Sequence, residues 1–448
     1  MLHWRELRQE LPPVIRLAVP IVSAELGWMA MGVVDTMMVG HLGKEALGGV
    51  AIGGIFFYTV AVFGMGMLLG LDTLVSQAFG GGRLDDCHHS LISGLWMSVL
   101  LSVPLMGLVS LAVPLLRVIG VQPALLTHAG PYLGAINWSL PLLLFFTALR
   151  RYVQGMNLTG AVTFAMVSAN LVNAAANYGL IYGHWGLPEM GSLGAGWATS
   201  ISRIYMLAVL GAYTLWWDGR SGGGLRLASL ALDWTRLKDL WRLGFPAAAQ
   251  ITVEVGVFAL AGALIGRFPA QYIAAHQIAL NVASITFMVP LGLGSAAAVR
   301  VGQAVGRNDG DGARRAGWTA IALGGSFMAT AGLCFVLFPR LIGRAYTGDE
   351  MVIETMAGLL WIAALFQFFD GLQGVATGAL RGLGDTRTAA ITHVVCYWVI
   401  GLPVGYWLAF SRGWKAAGMW TGLCVSLILI GSILVTMWRR RSTLLAFE

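Results

Sequence analysis

Twelve long runs of apolar residues dominate this sequence, and they limit the folds open to it more than any other feature. Each run is about as long as the roughly 17–25 residues that cross a bilayer as an α-helix. Within lipid, backbone amides need partners inside the chain, so only helices or closed barrels span a membrane. We place the twelve helices at 13–39, 47–72, 88–115, 125–149, 160–183, 193–217, 240–266, 273–301, 316–338, 352–378, 388–410 and 414–438.

The composition agrees with a chain that is solvated by lipid. Hydrophobic residues make up 57% of the chain and charged residues only 11%, with a mean hydropathy of +0.74. A soluble domain carries about 25% charged residues, because its surface needs polar cover. The net charge is +7, but the basic residues sit in short loops rather than among aromatics. The sequence therefore predicts an all-α integral membrane protein whose partner is membrane lipid and not nucleic acid.

The distribution of basic residues predicts the orientation of the chain. If the N-terminus is inside, most of the 28 Lys and Arg residues fall in loops on the inner side. Such loops carry the excess of basic residues in membrane proteins. We therefore expect a multi-pass protein of the bacterial inner membrane, with an even number of helices and with both termini in the cytoplasm.

The two halves of the sequence form an internal repeat. Arg16-Leu-Ala-Val-Pro20 aligns with Arg242-Leu-Gly-Phe-Pro246, and the same register pairs Gly66 with Gly292 and Gln77 with Gln303. Parallel repeats of this kind are related by an axis along the membrane normal, with the substrate path between them. We predict two six-helix lobes related by this pseudo-twofold axis, at 1–217 and 240–448, joined by a cytoplasmic linker at 218–239.

Four acidic residues lie well inside predicted spans: Glu25, Asp35, Glu254 and Asp370. An ionisable group at this depth costs roughly 2.5–3.5 kcal/mol on insertion scales, so each one needs a reason. The repeat pairs Asp35 with alanine and Glu254 with tryptophan, so the shared fold does not require either acid. A carboxylate in a central cavity can bind a proton or a hard cation such as Na⁺; a purely structural role is the alternative. Glu25 serves either a second site or a buried hydrogen bond.

Polar and aromatic neighbours at helical spacing accompany these acids. Gln250 precedes Glu254 by four residues, while Gln367, Asp370 and Gln373 run at intervals of three. Asn173 and Asn177 share one face of the fifth helix, either as cation ligands or as hydrogen-bonding links between helices.

Other motifs that carry chemistry are missing from the sequence. No phosphate-binding Gly-x-x-x-x-Gly-Lys-Ser/Thr motif occurs, so ATP is not the energy source. The histidines, including His276 and His393, lack metal-ligand spacing and indicate interfacial or hydrogen-bonded residues. Gly64 to Gly70 follows no strand, and its glycines predict a close helix-packing face rather than a dinucleotide loop. We predict a protein that is not an enzyme and holds no cofactor.

Several motifs resemble those of the multidrug and toxic compound extrusion (MATE) family. Val34-Asp35-Thr36-Met-Met-Val-Gly40 is similar to the Val-Asp-Thr-x-Met-x-Gly element of that family. Gly244-Phe-Pro246 followed by Glu254 resembles the start of its seventh helix. The tenth helix of that family is similar to Phe368-Phe-Asp370-Gly-Leu-Gln373. The loop that follows it is similar to Leu380-Arg-Gly-Leu-Gly-Asp385. Glu254 together with Asp370 points to the NorM-type branch.

This resemblance implies a monomeric antiporter that exports small amphipathic organic cations in exchange for Na⁺ or H⁺ by alternating access. By motif position it implies an ion-coupling site formed by Asp35, Asn173, Asn177 and Thr199, and a second formed by Glu254 and Asp370. The possible Na⁺ ligands are Asp35, Asn173, Asn177, Glu254 and Asp370. We expect the substrate to contact Asp35, Glu254, Phe366 and Asp370, together with Gln250, which the helical spacing places beside Glu254.

Two other functions are considered. A flippase for lipid-linked precursors has a related architecture, but such flippases carry basic residues for phosphate, whereas the mid-membrane charges noted here are acidic. A membrane-embedded enzyme needs nucleophile, base or metal residues clustered at one depth, and the sequence shows no such cluster.

Overall fold

Helices form almost the whole of the chain in the computed structural model, which describes residues 4–222 and 224–444. The α-helices are α1 (Trp4–Gly40), α2 (Lys44–Met67), α3 (Gly70–Gly80), α4 (Leu84–Ser110), α5 (Ala112–Val118), α6 (Pro123–Asn137), α7 (Leu140–Gly155), α8 (Thr159–Tyr182), α9 (Ser192–Arg220), α10 (Gly224–Leu227), α11 (Trp234–Ile265), α12 (Ala270–Gly306), α13 (Gly310–Leu337), α14 (Pro339–Arg344), α15 (Glu350–Gly382), α16 (Thr386–His393), α17 (Leu402–Tyr406) and α18 (Lys415–Leu444). A 3₁₀ turn lies at His184–Gly186, and π-helical segments lie at Val394–Gly401 and Trp407–Ser411.

These helices provide enough apolar length for a multi-pass membrane protein. Within the described residues, eleven helical segments are long and apolar enough to cross a membrane, and the pair α6 and α7 makes a twelfth if it counts as one span. Large apolar side chains such as Val118, Leu171 and Val103 are exposed, as a lipid-facing surface requires. The predicted all-α membrane fold is therefore confirmed.

The fourth predicted span, 125–149, is not one continuous helix. The structure breaks it between Asn137 and Leu140, and the two pieces are bent by 48°. Pro141 lies in the first turn of α7; it has no amide hydrogen, and its ring would clash with a carbonyl one turn earlier in an uninterrupted helix. The eleventh predicted span also departs from regular α-helix, because Thr386–Ser411 contains both π-helical segments.

The backbone divides into two compact units, each with most of its contacts inside itself. One unit, which we call the N-unit, runs from Ser23 to Ala248; the other, the C-unit, combines the chain up to Val22 with the chain from Ala249 onward. The divisions therefore fall within α1 and α11 rather than in the predicted linker. Glu10, in the first part of α1, accordingly pairs with Arg300 of the C-unit at 2.9 Å. The predicted lobe boundaries at 217 and 240 follow from the sequence repeat. They stay a prediction.

Gly66 and Gly292 are partners in the sequence repeat, and they make equivalent contacts, one in each unit. A Cβ atom on Gly66 would lie 2.5 Å from Ala248 Cα, and a Cβ on Gly292 would lie 3.0 Å from Val22 Cα. Val22 and Ala248 are themselves partners in the repeat. Both glycines thus allow the backbones of neighbouring helices to approach closely, as small residues do in membrane helix packing.

Candidate functional site

In the N-unit, four of the predicted site residues meet around the carboxylate of Asp35. Asn177 Nδ2 donates to Asp35 Oδ1 at 2.6 Å, and Thr199 Oγ1 lies 3.3 Å from Asp35 Oδ2. Asn177 Nδ2 also donates to Asn173 Oδ1 at 3.2 Å. Both asparagines are fully buried, while Asp35 is only half-buried. Helices α1, α8 and α9 therefore bring together side chains that lie far apart in the sequence.

One oxygen of this cluster lacks a hydrogen-bond donor. In the part of the chain that the structure describes, Asn177 Oδ1 is buried without a hydrogen-bond partner, and such an atom normally costs about 1–3 kcal/mol. An amide oxygen, a carboxylate and a hydroxyl are the ligand types that hard cations prefer. The donor set around Asp35 therefore fits Na⁺, and the same carboxylate can instead take a proton.

A buried arginine lies near this cluster, and the sequence interpretation did not select it. Arg203 follows Thr199 by one turn of α9, and only 5% of its surface is exposed. Its Nη1 donates to Ser139 Oγ at 2.6 Å, and its guanidinium lies 4.7 Å from the ring centroid of Phe57. Thr199 itself hydrogen-bonds to Asp35. The sequence feature that could have identified Arg203 is its position inside an apolar helix, one turn from Thr199.

In the C-unit, the amide of Gln373 bridges the two predicted acids. Gln373 Nε2 donates to Asp370 Oδ1 at 3.1 Å and to Glu254 Oε1 at 3.4 Å. Gln373 is buried, and both acids are partly buried. One amide group with two hydrogens thus serves two carboxylates, one from α11 and one from α15. The prediction that Glu254 and Asp370 share a site agrees in geometry, and their function stays a prediction.

His393 completes this cluster, although its sequence context pointed only to an interfacial or hydrogen-bonded residue. Its Nε2 lies 2.9 Å from Gln373 Oε1 and 3.9 Å from Glu254 Oε2, and its Nδ1 lies 2.7 Å from the carbonyl oxygen of Ala389. Gln250 Nε2 lies 3.5 Å from the same His393 Nε2. The ring is fully buried. The ring therefore contacts Gln373 and lies beside Glu254, which adds α16 to this cluster.

Two predicted neighbours of Asp370 have different surroundings. Phe366 is buried, and its ring centroid lies 5.9 Å from that of Trp420. Gln367 Nε2 donates to Thr286 Oγ1 at 2.7 Å. Phe366 therefore contacts Trp420, while Gln367 contacts Thr286 and also lies 4.0 Å from Met328 Sδ.

Glu25, whose role the sequence left open, forms a buried ion pair with Arg150. Both side chains are about nine-tenths buried. Breaking a buried pair by removing one partner typically costs about 3–5 kcal/mol, because a charge remains uncompensated. The geometry indicates an anchor between α1 and α7.

In neither unit do acidic, histidine and cysteine side chains gather as they do around a transition metal. Among the described residues, no group of three His, Cys, Asp or Glu could hold a metal ion. A cation near Asp35 would therefore be bound by one carboxylate together with amide and hydroxyl oxygens.

Comparison with protein families yields a match in each half of the chain. A family model described as MatE matches residues 20–179 and 246–407. The two matches begin at Pro20 and Pro246, which the internal repeat pairs with each other. The family model therefore follows the same register as the repeat.

Curated relatives extend the match to almost the full length. A probable multidrug resistance protein NorM of Mesorhizobium japonicum is 37% identical over 441 residues, covering 97% of this chain and 94% of the relative. A multidrug resistance protein NorM of Burkholderia vietnamiensis is 37% identical over 432 residues, covering 95% and 92%.

Solved structures share the fold at lower identity. A eukaryotic MATE transporter superposes with a TM-score of 0.88 at 23% identity, covering 98% of this chain and 99% of the other. A MOP superfamily transporter from Pyrococcus furiosus superposes with a TM-score of 0.86 at 17% identity, covering 98% and 97%.

Proposed function

Because this chain belongs to the MatE family of membrane transporters, which are not enzymes, we propose that it is an antiporter that exports small amphipathic organic cations in exchange for Na⁺ or H⁺. The names of its relatives, multidrug resistance proteins, support an export role and a broad range of cargo. We further propose that it acts as a monomer in the bacterial inner membrane and opens alternately to each side.

The observation that carries this proposal is the cluster around Asp35. Its carboxylate, bonded by Asn177 and Thr199, stands in an apolar helix where a negative charge is costly. A cationic cargo would satisfy this charge, and so would Na⁺ or H⁺. Two ligands that need the same carboxylate compete for it, and competition is the basis of exchange.

Competition becomes transport when the two ligands prefer different states of the carrier. A ligand shifts a two-state equilibrium only through its differential affinity for the states. Entry of the ion from outside would displace the cargo there, and release of the ion inside would restore the negative charge that attracts the next cargo. We assign the same role to Glu254 and Asp370, which share the donor Gln373.

Ethidium efflux from proteoliposomes tests this function. The purified protein is reconstituted, and a Na⁺ gradient and a pH gradient are imposed separately at matched membrane potential. We expect efflux with at least one gradient and none with a K⁺ gradient of equal size. Equal efflux with and without both gradients would contradict antiport, and preferential movement of a fluorescent anionic lipid would favour the flippase.

A reporter fusion tests the proposed orientation. Basic residues concentrate in the loops that the twelve-helix arrangement places inside, so we expect a fluorescent protein fused after Glu448 to be bright in the cytoplasm. Alkaline phosphatase fused at the same point should be inactive. A strongly active phosphatase would mean that the C-terminus is outside and that the orientation is wrong.

A further inference from the structure

Arg203 is a buried positive charge without a direct acidic partner among the described residues. Only 5% of its surface is exposed, yet within 4–222 and 224–444 no carboxylate oxygen forms an ion pair with it. Its hydrogen bond goes to the neutral hydroxyl of Ser139 at 2.6 Å, and its other close partner is the ring of Phe57. Charged side chains are rarely buried unless they are paired, so this charge calls for a specific role.

The position of Arg203 connects its charge with the Asp35 cluster. Arg203 and Thr199 are four residues apart on α9, so they share a face of that helix. Thr199 in turn hydrogen-bonds to Asp35, so the guanidinium of Arg203 stands one helical turn from a residue that contacts that carboxylate. The region therefore holds one negative and one positive side chain that are close but do not form a direct pair.

This pair of charges limits how much positive charge the region can accept. The cost of burying net charge in a medium of low dielectric rises steeply, since solvation energy grows with the square of the charge. With Asp35 ionised, the two side chains together are neutral. A bound monocation leaves one net positive charge, whereas a dication leaves two.

We propose that Arg203 is a specificity-determining residue that restricts the Asp35 site to cargo bearing a single positive charge. This inference rests on the proposed function, because it requires that Asp35 binds the cationic cargo. Arg203 acts through its fixed charge and need not contact the cargo. Ser139 and Phe57 hold the guanidinium in place, so that the charge stays near the site.

Ethidium and propidium provide a matched pair of probes, because they share one aromatic ring system and carry one and two positive charges. Dissociation constants are measured by dye fluorescence with the purified protein in lipid nanodiscs. We expect the wild type to bind ethidium at least tenfold more tightly than propidium. Arg203→Gln keeps a polar side chain of similar length without the charge, and it should reduce this preference at least tenfold. Arg203→Lys keeps the charge and should preserve the preference.

An unchanged ratio in Arg203→Gln would overturn the inference. A second variant, Ser139→Asp, puts a carboxylate against the guanidinium and cancels its charge without removing it. It should also reduce the preference for ethidium. If Arg203→Gln fails to fold, an unchanged preference in Ser139→Asp would overturn the inference instead.

The proposed function is tested separately by Asp35→Asn, which should lose ethidium binding. If Asp35→Asn binds ethidium like the wild type, the role of Asp35 is wrong; if only the Arg203→Gln ratio is unchanged, only the role of Arg203 is wrong.

Discussion

Asp35→Asn removes one negative charge from the N-unit cluster while keeping the shape of the side chain. The structure indicates that the protein can accommodate the change. The amide oxygen of the new side chain can accept from Asn177 Nδ2. Its NH₂ group can donate to Thr199 Oγ1, because a hydroxyl accepts as well as donates and Thr199 can give its own proton to the carbonyl oxygen of Ala195. The exchange of one hydrogen bond for another should alter the free energy of unfolding by about 1 kcal/mol or less.

The effect on cation binding should be much larger than the effect on folding. A monovalent cation about 4 Å from a carboxylate gains about 4 kcal/mol at an effective dielectric constant near 20. Loss of that attraction corresponds to roughly a thousandfold weaker binding, since about 1.4 kcal/mol is a factor of ten. Asp35→Asn should therefore lose nearly all gradient-driven efflux at cargo concentrations that saturate the wild type.

The assay is dye efflux from proteoliposomes, normalised to the amount of reconstituted protein and accompanied by a thermal unfolding curve. Asp311→Asn is the matched control, because it removes the same charge from an exposed position in the first turn of α13. We expect the control to retain wild-type efflux and Asp370→Asn to lose less than Asp35→Asn. Wild-type efflux in both Asp35→Asn and Asp370→Asn would refute ion coupling by these acids and leave them with a structural role.

Three further predictions concern the contacts around the sites. Glu25→Gln should destabilise the protein by about 3–5 kcal/mol through the charge left on Arg150, and the added change Arg150→Met should restore the unfolding temperature; no rescue would argue against the ion pair. Gly66→Ala should cost about 1–3 kcal/mol by overpacking, whereas Gly32→Ala, where the added Cβ meets nothing within 4 Å, should be neutral or stabilising; equal unfolding temperatures for the two variants would contradict the close packing. Gln373→Leu removes the donor that two carboxylates share, so it should lower ion-driven efflux at least tenfold while the protein remains folded; unchanged efflux would show that the bridge is dispensable.

The sequence by itself determined the fold class of this protein. Lipid leaves no water to satisfy backbone groups, so a long apolar run forms a helix whatever its neighbours do. For the same reason the positions of Asp35, Glu254 and Asp370 in those runs predict that these acids lie within the membrane. The repeat register also predicted which glycines are equivalent, and Gly66 and Gly292 do make equivalent contacts in the structure.

Only the tertiary structure decided which side chains meet. His393 looked unremarkable in the sequence because its partners, Gln373 and Glu254, come from other helices. Arg203 likewise depends for its hydrogen bond on Ser139, which lies in the break between α6 and α7. Periodicity reports the face of a single helix, whereas the rotation and crossing of neighbouring helices depend on close packing over many residues. That packing also set the divisions of the compact units within α1 and α11, where the sequence shows only continuous apolar helix.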